Sequence, residues 1–172
     1  MKRLIPDYYC KSIFDIPLSF FKEHNITHVF SDLDNTLDAY NIFYPTPRVF
    51  KLVDHLKKED ITLIIISNNH ENRVKDYASP LNVNYMYESG KPFKKKILKY
   101  ISDNNLNKES VILIGDQLLT DVQCGKNAKI KVLLTDRIVP IDQPVTRINR
   151  IFDNFFRKKM RKKGILQNRE VK

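Results

Sequence analysis

The chain has few of the features that mark secreted, disulfide-linked or membrane-spanning proteins. Its two cysteines, Cys10 and Cys124, are far apart and lack a metal-binding spacing, which indicates two reduced thiols. The longest strongly apolar run, residues 61–66, is far shorter than the roughly 20 residues that span a bilayer. The first residues show no signal-peptide pattern. We therefore expect a cytoplasmic protein.

Acidic residues are too few to balance the basic ones, and most of the excess positive charge lies near the C-terminus. The 172-residue chain has 30 Lys and Arg against 20 Asp and Glu, a net charge of +10. Residues 147–172 hold ten Lys and Arg against two acidic residues, so +8 of this charge lies there. We expect the basic charge to lie outside the main body of the protein. We also expect three parts: an N-terminal helical and aromatic extension on or near the core (1–27), a main domain (28–144), and a basic amphipathic C-terminal helix and tail (145–172).

Internal repeats and low-complexity linkers are absent, and short apolar runs alternate with helical patterns. This alternation is typical of βαβ units and predicts an α/β fold with a parallel sheet of about five strands. Strands are predicted at residues 28–33, 61–67, 85–87, 111–115 and 131–135. Helices are predicted at residues 48–59, 71–78, 93–104 and 121–127, with a further helix that begins at Pro17.

Polar residues gather at the predicted strand ends. Asp32 and Asp34 end the first strand, Ser67 ends the second, and Gly115 and Asp116 end the fourth. In open α/β sheets, ligands bind outside the carboxyl ends of the strands. The sequence therefore predicts that these side chains converge on one site.

Asp32 and Asp34 are the first candidates for chemistry. Residues two apart point to the same side of an extended segment, and a buried carboxylate pair is costly unless a cation or hydrogen-bond donors offset it. A strand-end turn is the structural alternative, because Asp and Asn favour turns. The position directly after an apolar strand favours the functional interpretation.

Two groups of hydrogen-bond donors follow. Ser67, Asn68 and Asn69 could bind phosphoryl oxygens through a hydroxyl and backbone amides, or could serve as an ordinary loop and helix cap. Lys91, just before Pro92, could neutralise both a phosphoryl group and a nucleophilic carboxylate. We interpret the nearby lysines as a solvated helix face; they are Lys94, Lys95, Lys96 and Lys99.

Asp116 and Asp121 make a magnesium site plausible. Mg²⁺ takes hard oxygen ligands and often uses few carboxylates together with water and a substrate phosphate. Asp121 or Thr120 could alternatively cap the following helix.

Taken in order, these motifs resemble those of the haloacid dehalogenase (HAD) phosphatase superfamily, over about residues 26–137. The matching motifs are Asp32-x-Asp34-x-Thr36, Ser67, Lys91 and Gly115-Asp116-x4-Asp121. The sequence around these motifs is similar to the YqeG-like branch of capless, class III, HAD phosphatases. The similarity includes Gly90-Lys91-Pro92 and the later Arg147-x-Asn149-Arg150. The branch is more distantly similar to mitochondrial phosphatidylglycerophosphate phosphatases. The implied fold is a Rossmannoid three-layer sandwich with strand order 5-4-1-2-3 and no cap domain.

The resemblance implies a role for each matched residue. Asp32 would be the nucleophile that forms an aspartyl-phosphate, and Asp34 would protonate the leaving group and then activate water. The phosphate-binding residues would be Ser67, Asn68 and Lys91. The residues around the Mg²⁺ ion would be Asp32, Asp34 (through its backbone carbonyl), Asp116, and Asp121, which could instead orient Lys91.

The substrate and partners are open at this point. Residues 37–47 and 69–90 are too short for a folded cap, so the cleft should be open and suited to a phosphate on a large molecule. By analogy we expect a lipid phosphate, with phosphatidylglycerophosphate first. The alternatives are nucleic acid ends, small phosphometabolites, or a non-catalytic RNA- or ribosome-associated protein on the same scaffold.

The C-terminal segment has three interpretations. Apolar residues recur at helical spacing from Val145, and they are Ile148, Ile151, Phe152, Phe155, Phe156 and Met160. A basic helix of this kind could lie on an anionic membrane through residues 145–163, aided by N-terminal aromatics. It could instead dock its apolar stripe on the sheet, or bind RNA non-specifically. An oligomer that covers the cleft is also compatible with the sequence.

Overall fold

The computed structural model describes residues 4–140 and 147–171, without the side chains of residues 147–149. One parallel sheet runs through it. Its strands are β1 (Tyr8–Cys10), β2 (His28–Ser31), β3 (Thr62–Ile66), β4 (Asn84–Met86), β5 (Val111–Gly115) and β6 (Lys131–Thr135). They are ordered β1-β6-β5-β2-β3-β4. The predicted α/β class and the order of the five predicted strands are confirmed, and the sheet gains a sixth strand at one edge.

The prediction of about five strands missed the edge strand β1. Its three residues pair with β6, from Tyr8 opposite Leu133 to Cys10 opposite Thr135. A three-residue strand is too short to show a repeating pattern in the sequence. The start of the N-terminal extension is therefore part of the sheet. The proposed division of the chain at residues 27 and 144 stays a prediction, and the second boundary lies outside the described residues.

Helices cover both faces of the sheet. They are α1 (Leu18–Glu23), α2 (Pro47–Lys58), α3 (Glu71–Ala78), α4 (Lys95–Asp103), α5 (Gln123–Ala128) and α6 (Arg147–Lys162). Side chains of alternate residues in each strand enter different cores. Val29 and Ile65, for example, pack with residues of α1, α2 and α3, whereas Phe30 and Ile64 pack with residues of α4 and α5. The result is a three-layer sandwich.

The central strands are apolar throughout because both of their faces are covered. All five residues of β5 are buried, and so are the last four of β3. A single turn of π-helix, Leu118–Val122, precedes α5, so the helix predicted at residues 121–127 begins with wider turns than expected. Val145 and the side chain of Ile148, which we placed in the C-terminal apolar stripe, lie outside the described part of the chain.

The two segments that we expect to be too short for a folded cap, residues 37–47 and 69–90, contribute no separate domain. The segment between β2 and α2 consists of turns, and residues 69–90 form α3, a 3₁₀ turn and β4 of the same sandwich. Within residues 4–140 and 147–171, nothing forms a separate cap over the sheet edge. Of the helices in these ranges, none combines the length and the apolar character needed to cross a bilayer.

Candidate active site

Asp32 lies at the carboxyl end of β2, directly beside a buried lysine. Its backbone N–H donates to the carbonyl of Ile114, which continues the pairing of β2 with β5 for one more residue. The Lys91 Nζ donates to Asp32 Oδ1 at 2.6 Å, to Asp121 Oδ1 at 2.7 Å and to the carbonyl of Ile66 at 3.0 Å. Three chain segments that are distant in sequence therefore meet around one ammonium group.

The loop that carries Lys91 is held by Asn68. The Asn68 side chain accepts from the Lys91 N–H at 2.9 Å and from the Ser89 hydroxyl at 2.7 Å, and donates to the Lys91 carbonyl at 2.9 Å. These contacts occupy the side-chain amide that we predicted as a phosphate ligand, so the role the structure gives Asn68 is to position Lys91. Its contact with phosphate stays a prediction. The lysines of the following helix, Lys94, Lys95, Lys96 and Lys99, are exposed.

Ser67 follows β3 and is buried beside this loop. Its hydroxyl accepts from the Asn69 N–H at 3.1 Å, and its carbonyl accepts from the Ser89 N–H. The serine therefore shapes the turn after β3, and a hydroxyl proton stays available for a phosphoryl oxygen. Its predicted role in phosphate binding is compatible with this geometry and stays a prediction.

Asp116 and Asp121 follow β5 and are completely or almost completely buried. Ligand atoms of Asp32, Asp116 and Asp121 all lie within 4.8 Å of one another, close enough to share one cation. The close approach of Asp121 requires Gly115, because a Cβ there would stand 2.3 Å from the Asp121 Cγ. Asp116 Oδ2 accepts from Arg150 at 2.6 Å. Asp116 Oδ1 finds no hydrogen-bond donor among the described residues.

A divalent cation fits this carboxylate set. The donors are hard oxygens, and one of them, the buried Asp116 Oδ1, has no hydrogen-bond donor within the part of the chain that the structure describes. The three carboxylates also meet the cationic side chains of Lys91 and Arg150. Mg²⁺ prefers such ligands. Of the four residues predicted for the metal site, the structure brings three carboxylates together. The carboxylate of the fourth, Asp34, faces elsewhere, and its backbone carbonyl stays the predicted ligand.

The pKa shifts in the carboxylate cluster also favour a bound cation. Burial raises the pKa of Asp32 to about 8, Lys91 opposes this rise, and the carboxylates of Asp121 and Asp116 add to it. Burial raises the pKa of Asp116 to about 6 despite the opposing charge of Arg150. For Lys91, burial alone would lower the pKa, but Asp121 and Asp32 outweigh it and the pKa is raised. The direction of these shifts shows that the cluster favours positive charge beside its carboxylates.

Asp34 lies at the rim of the same site. Arg73 Nη2 donates to Asp34 Oδ1 at 2.9 Å, and the Asn69 amide donates to Oδ2. Burial raises the pKa of Asp34, and Arg73 and Asn69 partly offset this rise. A carboxyl group with a raised pKa near the site entrance is suited to donate a proton and later accept one.

The turn after Asp34 is fixed by a carboxylate that the motifs do not include. Asp38 is buried and accepts from the Tyr77 hydroxyl at 2.7 Å, from the Thr46 hydroxyl at 2.9 Å and from Arg48 Nη2 at 2.9 Å. These bonds close the segment between β2 and α2. Asp38 therefore fixes the backbone that carries the two predicted catalytic aspartates.

Sequence reasoning missed three arginines at the site. Arg73 contacts Asp34, Arg150 contacts Asp116, and Arg157 donates to the backbone carbonyls of Asp116 and Thr135. The expectation that the basic C-terminal charge lies outside the main body of the protein is thus wrong for Arg150 and Arg157. Such ion pairs join distant segments and leave no periodic pattern. The sequence feature that pointed to one of these arginines is the motif resembling the YqeG-like branch, which contains Arg150.

Comparison with known proteins agrees with this geometry. A family model described as haloacid dehalogenase-like hydrolase matches residues 13–135. A relative from Bacillus subtilis, described as "Probable phosphatase YqeG", is 34% identical over 166 residues, which cover 96% of each chain. The chain therefore belongs to the haloacid dehalogenase-like hydrolases, and the predicted membership of this superfamily is confirmed.

Solved structures share the fold at low sequence identity. The cobalt-bound deoxy-D-mannose-octulosonate 8-phosphate phosphatase of Haemophilus influenzae is 17% identical, with a TM-score of 0.51 over 67% of this chain and 81% of that one. The 3-deoxy-D-manno-octulosonate 8-phosphate phosphatase of Moraxella catarrhalis, solved with magnesium, phosphate and its sugar acid, is 14% identical. Its TM-score is 0.51 over 83% of this chain and 99% of that one. These likenesses establish the fold.

Proposed function

We propose that the protein is a Mg²⁺-dependent phosphomonoester hydrolase that works through an aspartyl-phosphate on Asp32, with phosphatidylglycerophosphate as its substrate. The observation that carries the chemistry is the convergence of Asp32, Lys91, Asp116 and Asp121 at one sheet edge, with the ligand atoms of the three aspartates within 4.8 Å of one another. The description of the Bacillus subtilis relative supports phosphatase activity.

In the first step, a carboxylate oxygen of Asp32 attacks phosphorus and the bond to the leaving oxygen breaks. Asp34 gives its proton to that oxygen, which its raised pKa favours. Lys91, which hydrogen-bonds Asp32 at 2.6 Å, is placed to offset the charge of the transferred phosphoryl group, with the Ser67 hydroxyl beside it.

In the second step, Asp34 takes a proton from water, the water oxygen attacks phosphorus, and the acyl-phosphate bond to Asp32 breaks. Splitting the displacement in this way replaces one difficult step by two easier ones. A Mg²⁺ ion held by Asp32, Asp116 and the Asp34 carbonyl would offset the repulsion between the anionic carboxylate and the anionic phosphate. Asp121, which contacts Lys91 at 2.7 Å, keeps the lysine directed at the nucleophile.

We base the lipid substrate on the open cleft and on the distant resemblance to mitochondrial phosphatidylglycerophosphate phosphatases that we expect from the sequence motifs. The described residues form no cap over the sheet edge, and the loop of Phe43 and Tyr44 leaves both aromatic side chains exposed. An uncovered site can accept a phosphate that is displayed on a surface. The proposal places the protein in the cytoplasm, in peripheral contact with the inner face of the membrane.

The experiment is a phosphate-release screen with phosphatidylglycerophosphate in mixed micelles, nucleotides, phosphorylated oligonucleotide ends and phosphosugars. Each substrate is tested with Mg²⁺ and with EDTA, using the native chain and Asp32→Asn. We expect Mg²⁺-dependent release from the lipid, abolished by the substitution. Faster turnover of a soluble substrate would overturn the lipid assignment alone. Salt-sensitive RNA binding with no turnover of any substrate would instead favour a non-catalytic RNA-associated role.

A further inference from the structure

The C-terminal helix α6 buries charged side chains and exposes apolar ones. The residues of its inward side are Arg150, Asp153, Arg157 and Met160, all at most 8% exposed. Ile151, Phe152 and Phe155 on the opposite side are 69%, 52% and 61% exposed. This is the reverse of the pattern expected for a helix that packs its apolar stripe on a core. Of the predicted stripe, Phe156 and Met160 join the core cluster.

The inward contacts fix this orientation. Asp153 Oδ1 accepts from the Leu118 N–H at 2.6 Å, and Asp153 Oδ2 accepts from Arg157 Nε at 3.0 Å. Arg157 also contacts Asp136 at 2.9 Å, and Arg150 contacts Asp116 at 2.6 Å. A rotation that buried the apolar residues would take Arg150 away from the buried Asp116 carboxylate and Asp153 away from the Leu118 N–H, which is strongly unfavourable. The helix therefore holds its apolar residues outward.

The outward side continues into a basic row. Residues 151, 155, 158 and 162 recur at helical spacing, and Phe152 and Lys159 lie beside this row. We use the term α6 face for these six exposed residues: Ile151, Phe152, Phe155, Lys158, Lys159 and Lys162. Apolar groups at one end and lysines at the other are typical of helices that lie in the interface of an anionic membrane.

We propose that the α6 face docks on an anionic lipid bilayer, with the aromatic side chains inserted between headgroups and the lysines over anionic lipids. The lysines favour this occupant over a protein partner, because protein interface cores are depleted in lysine. They also oppose a two-fold dimer through this face. Such a dimer would set the lysines of one copy against either the lysines or the apolar side chains of the other, and neither arrangement gives the lysines an acidic partner.

Docking in this way places the active site at the membrane surface. The helix that carries the α6 face also carries Arg150, whose guanidinium contacts Asp116, so the site lies on the other side of one helix, about 10 Å away. Exposed aromatics also lie on segments that bear site residues: Phe93 is 75% exposed and follows Lys91 by two positions, and Phe43 stacks on Arg73 beside Asp34. This part of the inference rests on the proposed lipid substrate.

The test is flotation of the full chain with vesicles of phosphatidylcholine and phosphatidylglycerol, compared with vesicles of phosphatidylcholine alone. We expect binding to the anionic vesicles that weakens with added salt. Phe152→Ser with Phe155→Ser should weaken binding by at least about tenfold. Lys158→Gln, Lys159→Gln and Lys162→Gln together should weaken it by about a hundredfold, at roughly fivefold per lysine.

Matched controls come from α2, which carries an exposed phenylalanine and exposed lysines on another part of the molecule. Phe50→Ser, and the triple change of Lys51, Lys57 and Lys58 to Gln, should leave binding near the native value. Hydrolysis of a soluble chromogenic phosphomonoester should be unchanged in the Phe152 and Phe155 variant. Hydrolysis of a vesicle-embedded lipid phosphate should fall with vesicle binding.

The outcomes separate this inference from the proposed function. Binding that follows the α6 face without any phosphatase activity would support the docking surface and overturn the proposed function. Phosphatase activity with no binding to anionic vesicles would overturn the docking surface. Vesicle binding that is lost only in the α2 control variants would overturn it as well. A native chain that is dimeric in sedimentation, and becomes monomeric in the Phe152 and Phe155 variant, would show that a second copy covers this face. Tighter binding to single-stranded RNA than to vesicles would overturn it too.

Discussion

Removal of the Lys91 ammonium should destabilise the protein strongly, because Lys91 is the buried counter-charge of two carboxylates. Its side chain is 2% exposed, and its Nζ lies 2.6 Å from Asp32 and 2.7 Å from Asp121. Lys91→Met keeps most of the volume and deletes the charge. Breaking a buried ion pair by removing one partner costs about 3–5 kcal/mol. This range applies here because the Asp121 side chain is only 1% exposed and would be left buried without the Lys91 charge.

The assay is urea unfolding followed by far-ultraviolet circular dichroism, in EDTA, since the chain has no tryptophan. Lys95→Met is the control on the exposed face of the next helix and should change the free energy of unfolding by no more than about 0.5 kcal/mol. Lys91→Met combined with Asp121→Asn should cost less than the sum of the two single changes, because the pair is coupled. A loss below about 1 kcal/mol for Lys91→Met would refute the reasoning.

Three further predictions follow from single positions. Gly115→Ala places a Cβ 2.3 Å from the Asp121 Cγ and should lower kcat by about a hundredfold in steady-state assays, whereas unchanged kcat would contradict the close approach. Asp38→Asn should lower the free energy of unfolding in urea by about 1.5–3 kcal/mol, because five hydrogen bonds from Thr46, Arg48 and Tyr77 lose a charged acceptor; a neutral effect would contradict its role in closing the turn. Cys124, whose pKa burial raises to about 12, should resist alkylation at pH 8 until urea unfolds the chain, and rapid labelling of the native protein would contradict its burial.

The sequence was sufficient for the central strands and for the groups that end them. Strands β2, β3 and β5 are buried on both faces, so their apolar runs stand out, and the parallel arrangement then places Asp32, Ser67 and Asp116 at one edge. The apolar pattern of the strands, together with the rule that ligands bind at the carboxyl ends of parallel strands, was enough to predict the position of the site. The carboxylate convergence follows from topology without any distance being known.

Contacts between distant segments were not predictable from pattern. Arg73 and Arg150 become site residues only because their helices pass the ends of β2 and β5, and nothing periodic in the sequence fixes that. The C-terminal helix shows the limit most clearly. Its apolar residues left membrane contact, docking on the sheet and RNA binding open, and the ion pairs of Asp153 and Arg157 determine which side faces inward. Edge strand β1 was missed because three residues carry too little pattern.

These contacts make the C-terminal helix part of the candidate active site. Arg157 donates to the carbonyls that end both β5 and β6, at Asp116 and Thr135, and it also contacts Asp136. A buried arginine that joins two strand ends fixes the helix against the sheet edge. The basic segment thus has two roles that its net charge does not distinguish. Inward guanidinium groups hold the site, and outward lysines are exposed and, by our proposal, contact anionic lipid.

The central claim, that the Asp32 carboxylate is the nucleophile, is tested most directly by trapping the covalent intermediate. The native protein and Asp32→Asn are mixed with a turnover substrate, quenched in acid within the first turnover, digested, and mapped by mass spectrometry. The account predicts a phosphoryl group on the peptide that contains Asp32, and none in the substituted protein. A phosphoryl group on another residue, or substrate turnover that survives Asp32→Asn, would contradict it.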